Sequence, residues 1–585
     1  MNTYILLMLL YRKENELKMD LSKLSTEDIN NMSAEEGLES LANFKEESKN
    51  PMKLNEEFLM QIIKDNKDTE IGKKYDFATI DSIEEYQKRL PVTTYDDYAE
   101  YVLRMVYNDE ENLMTAYDVK LYCETNGTLG NPKIMPMSEK AIEVQSNYNT
   151  TVWYALMEEF LDPVWKKGRS LFLMECKMVE MKKGKSYGAL SSILIGDMKS
   201  ILDKITSTPF EALFPTGGTD TRYLQARFGL MASDITQISC TFLSYAAEIM
   251  RYIEKNWEML VDDIEKGEIN EKINIPEDVR EQLLEKLKPM PERAAELRSA
   301  FEEGFDEPFT RKVWKNLMTI SGIGTGAFEI YDKKLHDRYV DDKVRFYYPG
   351  ISSTEALFSV PIEMDCKDSA LVPKSVFYEF LPVDANDDFS KIVTMDKVEI
   401  GKDYEIIMTT LSGLYRYRMR DCVRIMGKYN ELPLIRFQYR IDQMVDILDD
   451  HTTELALTKT ATDTANELGF ELVDFSIFPD RDAMPPKYTY LMEVANIPKG
   501  LTVEMIRSKL NEKLCGYNPD LKAYIDKGIC APVELHIVQD ETYMLYRDLM
   551  VMKGRNSAQI KPVRIIINEF QRRFFFGLID KELEK

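Results

Sequence analysis

Phe242, Ala246, Ile249, Ile253, Leu260 and Ile264 recur largely at three- and four-residue intervals through "CTFLSYAAEIMRYIEKNWEMLVDDIEKGEI". That spacing lines them along one face and predicts a long core helix, stopped at its C-terminus by Gly267. Residues from about Ser33 to Asp109 are polar and read as largely helical, with "RLPVTTYDDYAEYV" a turn into a capped helix. "DVKLYC" reads as a strand, "SEKAIEVQSNYNTTVWYALMEEFL" as helix from a Ser138 cap, and "SLFLMEC" as a short buried strand. This strand-loop-helix-strand order predicts α/β organisation. The Pro-punctuated stretch from Pro276 to Pro308 reads as two charged surface helices.

Further on, "KVRFYYPGISSTEALFSVP" and "DYEIIMTTLSGLYRYRMRDCVRIMG" read as strands interrupted by small polar groups, the pattern of loops leaving a sheet at a site. A helix from Thr453, strands "ELVDFSIF" and "YTYLMEVA", helix "TVEMIRSKLNEKL" and "PVELHIVQ" then form a separate α+β unit. A hinge is expected near Arg440 to Asp442, with that small domain following.

At 585 residues the chain is too long for one core, and 44% hydrophobic with 30% charged residues is a soluble globular composition. The formal net charge of -25 argues against a general binder of nucleic acid or anionic membrane, so any anion must be held by a local site. Seven scattered cysteines without C-x-x-C pairing suggest free thiols in a reducing cytoplasm. Three well-separated histidines, His336, His451 and His536, offer little for a zinc cluster or a His-based triad. The N-terminal apolar run, about ten residues, is too short to span a bilayer. The expected start is Met19, with residues 1–18 a mis-called start or disordered.

"ETNGTLGNPKIMP", Glu124 to Pro136, follows the "DVKLYC" strand. It suits either a surface turn or a phosphate cradle. Gly127 and Gly130 lack a Cβ, so backbone N–H groups can converge on an anion. Thr125 and Thr128 add hydroxyl donors and Lys133 a mobile positive charge. The spacing is not that of the P-loop G-x-x-x-x-G-K-[ST].

Four ordered segments resemble the adenylate-forming superfamily of acyl-CoA synthetases, luciferases and peptide-synthetase adenylation domains. "TNGTLGNPK" is similar to its phosphate loop, and "SSTE" (Ser352 to Glu355) to its second motif. "YRYRMRD" (Tyr415 to Asp421) is similar to the segment ending in the ribose-binding Asp, and "RIDQMVD" (Arg440 to Asp446) to the hinge motif. Three stretches, "GLYRYRMRDCV", "EKNWEMLVDDIEKGEI" and "KGRNSAQIKPVR", resemble one branch, the auxin-responsive Gretchen Hagen family of acyl-acid amido synthetases. The resemblance runs from about residue 85 to the C-terminus.

It implies an α/β fold: a large ATP- and acyl-acid-binding domain (19–440) with parallel or mixed sheets, helices and a β-barrel-like part, then a small mobile α+β domain (441–585). It also implies an ATP- and Mg²⁺-dependent ligase that adenylates a small carboxylic acid, releases pyrophosphate and passes the acyl group to an amine, typically an amino acid. Thr125, Asn126, Gly127, Thr128 and Lys133 would hold the phosphates, and Glu355 would bind Mg²⁺ beside Thr354, which could hydrogen-bond the nucleotide. Asp421 would accept the ribose hydroxyls and Arg440 would touch ribose or phosphate. Asp442 would be the hinge, and Lys561 the small-domain lysine that stabilises charge during adenylation.

The alternatives are transfer to a thiol such as coenzyme A, or a non-catalytic protein that binds ATP and acid. Asn126, Leu129, Arg420 and Tyr439 depart from the superfamily pattern, and where positive φ is needed Arg420 and Tyr439 would cost energy. Arg416 and Arg418 could instead be one charged strand face, Glu355 and Asp421 solvated strand-end carboxylates, and Lys561 a surface lysine. Phe242 and Tyr245 read as core first and acid-pocket lining second. A cytoplasmic monomer is expected, with no nucleic-acid or membrane partner.

Overall fold

In the polar N-terminal stretch, Ser25, Thr69 and Ser82 each cap a helix through the side chain. Ser25 and Asp28 exchange side-chain and backbone hydrogen bonds ahead of the helix Thr26–Glu47, and Thr94 and Asp97 repeat the box before Ala99–Asn108. The computed structural model describes residues 23–581 apart from 126–132, 146, 149–150, 178, 197–198, 442–444, 449, 554 and 556–559. Two compact units divide the chain: Met1–Ile323 with Lys334–Phe437, and Gly324–Lys333 with Gln438–Lys585. The fold is mixed α/β.

Three sheets build the first unit. β1 (Val119–Glu124) and β2 (Ile134–Ser138) form an antiparallel hairpin; β3 (Arg169–Leu173) opens a second sheet before β4 (Glu180–Lys182) and β5 (Lys185–Gly188) return to the first, in the order β2-β1-β5-β4. The second sheet adds β6 (Ile235–Phe242), β7 (Thr319–Ile323) and β8 (Arg345–Tyr347), all parallel in the order β3-β6-β7-β8. Its strands are almost wholly buried, as helices on both faces of a parallel sheet require.

The part expected to resemble a barrel is a largely antiparallel seven-stranded sheet. It contains β9 (Ser359–Pro361), β10 (Ser369–Leu371), β11 (Val376–Pro382), β12 (Val393–Thr394), β13 (Asp403–Thr410), β14 (Tyr417–Tyr429) and β15 (Leu432–Arg440), in the order β12-β11-β13-β14-β15-β10-β9.

The long helix spans Leu243–Lys266, ending at Gly267 with φ 72°. Its predicted start at Cys240 is corrected: residues 240–242 belong to β6, where parallel pairing with β3 and β7 overrides the helical period. Phe242 is therefore the last strand residue, and Tyr245 is core at 1% exposure. The helix end is stitched by buried Arg227, whose Nη2 donates to the carbonyls of Asp263 (2.9 Å) and Glu268 (2.7 Å). Arg227→Met orphans both acceptors and is expected to lower stability by about 2 kcal/mol, read as a lower urea midpoint at unchanged slope; an unchanged midpoint would contradict this role.

In the second unit β16 (Glu471–Asp480) and β17 (Lys487–Ala495) are antiparallel and β18 (Glu534–Ile537) joins β17 in parallel. Helices Glu454–Leu468 and Val503–Tyr517 cover this sheet through Leu457, Ala461, Leu510 and Leu514. Ile330, from the segment 324–333, joins the same core. Nearby, buried Arg564 pairs with Asp474 (2.5 Å), donates to the Ala327 carbonyl (3.1 Å), and Tyr331 hydroxyl donates to Asp474 (2.6 Å). These bonds explain why 324–333 folds with residues far downstream.

Candidate active site

The Gly-rich loop leaves the end of β1 and re-enters β2, so its length is closed by the hairpin pair Glu124 and Ile134. Thr125 N–H donates to the Lys133 carbonyl (2.8 Å) and Lys133 N–H to Thr125 Oγ1 (3.1 Å), continuing the ladder one step past the strands. Asn126, Gly127 and Thr128 lie outside the described residues, as do Leu129 and Asp442. Lys133 reaches back to β14, its Nζ 3.3 Å from the Tyr417 hydroxyl.

"SSTE" leaves the C-terminal end of β8, where parallel sheets place their ligand crevice. Ser352 bridges Leu357, and Glu355 N–H donates to Ser353 Oγ (3.1 Å), so a tight turn presents Thr354 and Glu355, both half-buried. Gly350 sets the approach: a Cβ there would sit 1.9 Å from the Ser359 carbonyl oxygen. The backbone of the turn can close on β9 only without a side chain at that position.

Asp421 lies in an irregularity of β14. Glu405 pairs with Cys422 but Ile407 pairs with Arg418, leaving two extra residues on β14. Such a bulge breaks the alternation of side chains and re-aims them. Arg420, at φ 67°, supplies the left-handed turn that glycine supplies in the superfamily pattern, with Asp387 at 3.7 Å and Glu405 at 3.9 Å. The strained position is thus real and is occupied by arginine. Tyr439 is not strained, because β15 runs extended through it.

Arg416 and Arg418 are not one solvated face. Arg416 forms a two-pronged pair with fully buried Glu379 (3.0 and 2.9 Å), and Arg418 does the same with Glu405 (2.8 and 2.6 Å). The carboxylates opposite them on β11 and β13 were invisible to a reading of β14 alone.

The charges of Lys133 and Asp421 both reach the Glu355 carboxyl. Burial raises the Glu355 carboxyl above its ordinary range; the Ser353 hydroxyl opposes this, the charge of Asp421 adds to it, and that of Lys133 opposes it. Glu355 is half-buried. Asp421 is 7% exposed. A carboxylate whose charge is disfavoured by burial and a second carboxylate suits a hard cation arriving with phosphates, which Mg²⁺ usually binds through one or two carboxylates. No cluster of three or more His, Cys, Asp or Glu suited to a metal occurs among the described residues.

The other candidates fall in the second unit. Arg440 ends β15, half-buried, and Lys561 is exposed, with its charge felt at Glu454. The histidines are dispersed: His336 stacks on Phe346, His451 faces Asp446, and His536 stands near Glu534.

Family models for the GH3 family N-terminal, central and C-terminal domains match residues 40–344, 369–440 and 453–569. The chain belongs to the GH3 family. It is 25% identical over 565 residues to indole-3-acetic acid-amido synthetase GH3.4 of Arabidopsis thaliana, covering 91% of this chain and 92% of that protein. The corresponding enzyme GH3.8 of Oryza sativa subsp. indica is 26% identical, with 82% of each chain covered. Among solved structures, an acyl acid amido synthetase, GH3.15, superposes with a TM-score of 0.79 at 21% identity, over 92% of this chain and 96% of that one. GH3.15 with 2,4-DB gives 0.80. These likenesses support the mixed α/β architecture.

In this GH3 chain three residues outside the expected site shape it: Ser353 holds the Glu355 turn, and Tyr95 and Tyr417 flank Lys133. The alternation "LYRYR" was the available signal for Tyr417. Nothing in "TTYDDY" marks Tyr95, whose partners are contributed by other strands. No helix among the described residues is long and apolar enough to cross a membrane.

Proposed function

We propose that this GH3 protein is an ATP-dependent amido synthetase that adenylates a small carboxylic acid and transfers the acyl group to an amine, typically an amino acid. The observation that supports this reading best is that Lys133, at the stem of the Gly-rich loop, reaches Tyr417 on the strand that carries Asp421, with the charges of both Lys133 and Asp421 acting on Glu355. The acid oxygen attacks the α-phosphorus of ATP, the α–β phosphoanhydride bond breaks, and pyrophosphate leaves. Amine nitrogen then attacks the acyl carbon, AMP leaves and the amine gives up a proton.

Lys133, Thr125 and the loop 126–128 hold the phosphates, placing positive charge and N–H donors where negative charge moves. Asp421 accepts the ribose hydroxyls, which an acceptor-only carboxylate does with two oxygens. Thr354 hydrogen-bonds the nucleotide and Arg440 adds a ribose or phosphate contact. Glu355 would hold Mg²⁺, which would offset phosphate charge. The large domain is taken as 19–440 and the small one as 441–585, with Asp442 as the hinge and Lys561 serving the first half-reaction. Scattered cysteines suit a reducing cytoplasm, and the enzyme acts as a monomer.

The experiment is pyrophosphate release from Mg²⁺-ATP over a panel of aromatic and aliphatic acids with mixed amino acids, beside Asp421→Ala. Release that depends on one acid and falls on the order of 10²-fold or more in the variant is expected. ATP binding without release across the panel would overturn the reading. Lys561→Ala should slow pyrophosphate release while sparing amide formation from a pre-made acyl-adenylate; equal loss in both half-reactions would remove Lys561 from its assigned role.

A further inference from the structure

β2 is an edge strand, so the outward N–H and C=O of Ile134, at the mouth of the Gly-rich loop, have no ladder partner. A single hydroxyl takes both. Tyr95 Oη accepts from Ile134 N–H (3.0 Å) and donates to the Ile134 carbonyl (3.1 Å). On the other side of the stem, Tyr187 hydroxyl donates to the side chain of Glu124 (2.7 Å), the cross-strand partner of Ile134. Both ends of the loop are thus tied by tyrosine hydroxyls.

The same Tyr95 ring flanks Lys133. Nζ lies 5.4 Å from the Tyr95 ring centroid and 5.9 Å from that of Tyr417, within the range of cation–π attraction. Tyr417 also offers its hydroxyl to Nζ at 3.3 Å. A lysine side chain is otherwise rotationally free, and confining it before phosphate arrives removes part of the entropy lost on binding.

Tyr95 is itself delivered by the strand that carries Asp421. Thr93 N–H donates to the Arg416 carbonyl and Arg418 N–H to the Thr93 carbonyl, both at 2.9 Å, bridging Thr93 to Tyr417. The Thr94–Asp97 capping box then turns the chain so that Tyr95 follows directly.

We propose that Tyr95 and Tyr417 are positioning residues of the adenylation step, which clamp the loop stem and aim Lys133 at the phosphates. This rests on the reading of Lys133 as a phosphate ligand. It links the phosphate loop to the ribose-binding carboxylate through one short stretch, residues 93–95, which the sequence marks only as a turn.

The test is a double-mutant cycle with Mg²⁺-ATP in the full chain. Tyr95→Leu should raise the KM for ATP on the order of tenfold with a smaller change in kcat, whereas in a Lys133→Met background the same change should cost less than about twofold. Equal losses in both backgrounds would overturn aiming through Lys133. Tyr417→Phe, which keeps the ring, should lose less than Tyr417→Leu in the wild-type background; the same loss in both would overturn the role of that ring. Amide hydrogen exchange on the ligand-free protein addresses the clamp separately: Tyr95→Phe should speed exchange at Ile134, and unchanged exchange would overturn the clamp. If Lys133→Met releases pyrophosphate at the wild-type rate, the phosphate role of Lys133 and the aiming proposal fall together, while exchange at Ile134 still decides the clamp.

Discussion

Replacing Glu355 with glutamine is expected to lower pyrophosphate release on the order of 10²–10³-fold, while raising the melting temperature of the ligand-free protein at pH 8. Both effects come from one carboxylate. Burial and the charge of Asp421 raise its pKa above the ordinary value of 4.5, with the Ser353 hydroxyl and Lys133 opposing. Below pH 4.5 the carboxyl is protonated in folded and unfolded chains alike and its stability contribution is fully present. As pH rises through the raised folded value, the unfolded chain ionises more readily and that contribution is lost. Glutamine has no such loss, so the stability gap between variant and wild type should widen from pH 4 to pH 8. Melting curves across that range, with and without Mg²⁺-ATP, check it. A variant that is inactive but gains nothing at pH 8 would mean that Glu355 is not held at an electrostatic cost.

Arg416→Ala is expected to destabilise the first unit by about 3–5 kcal/mol. The guanidinium fills a buried socket: two bonds to Glu379, and Nη1 donating to the carbonyls of Gln87 (2.8 Å) and Leu90 (2.7 Å). Removing it leaves an ionised carboxylate at 0% exposure without its counter-charge. Arg416→Met with Glu379→Leu removes both charges and should recover a large part of the loss, although two carbonyls stay unpaired. Urea denaturation of the singles and the pair measures this. A single-variant loss below about 1 kcal/mol would show that water reaches the socket. Because the pair spans β11 and the approach to β14, its loss should also reduce activity at temperatures where the protein is still folded.

The positions of the elements were largely legible because helix and strand periods are local. The stripe Ala246, Ile249, Ile253, Leu260 and Ile264 along the long helix and the helix starts at Thr453 and Thr502 stand where neighbouring residues put them. The start of the long helix was not legible: residues 240–242 carry a helical period and become strand because two parallel neighbours pair with them. The cost of Arg420 was visible as a substituted glycine, but only the bulge in β14 shows that the left-handed turn is made there.

The sequence by itself determined the family and the chemistry on offer, since a Gly-rich loop, a Thr-Glu turn and a segment ending in Asp keep their order whatever surrounds them. Tertiary structure decided which of those residues meet and what holds them. Tyr98 donates to Tyr415 across 317 residues, Tyr95 closes on a strand that it does not adjoin, Arg416 finds its carboxylate on β11, and 324–333 packs with residues beyond 438. None of these pairings leaves a periodic trace, because a hydrogen bond between distant strands constrains one side chain at each end and nothing between them.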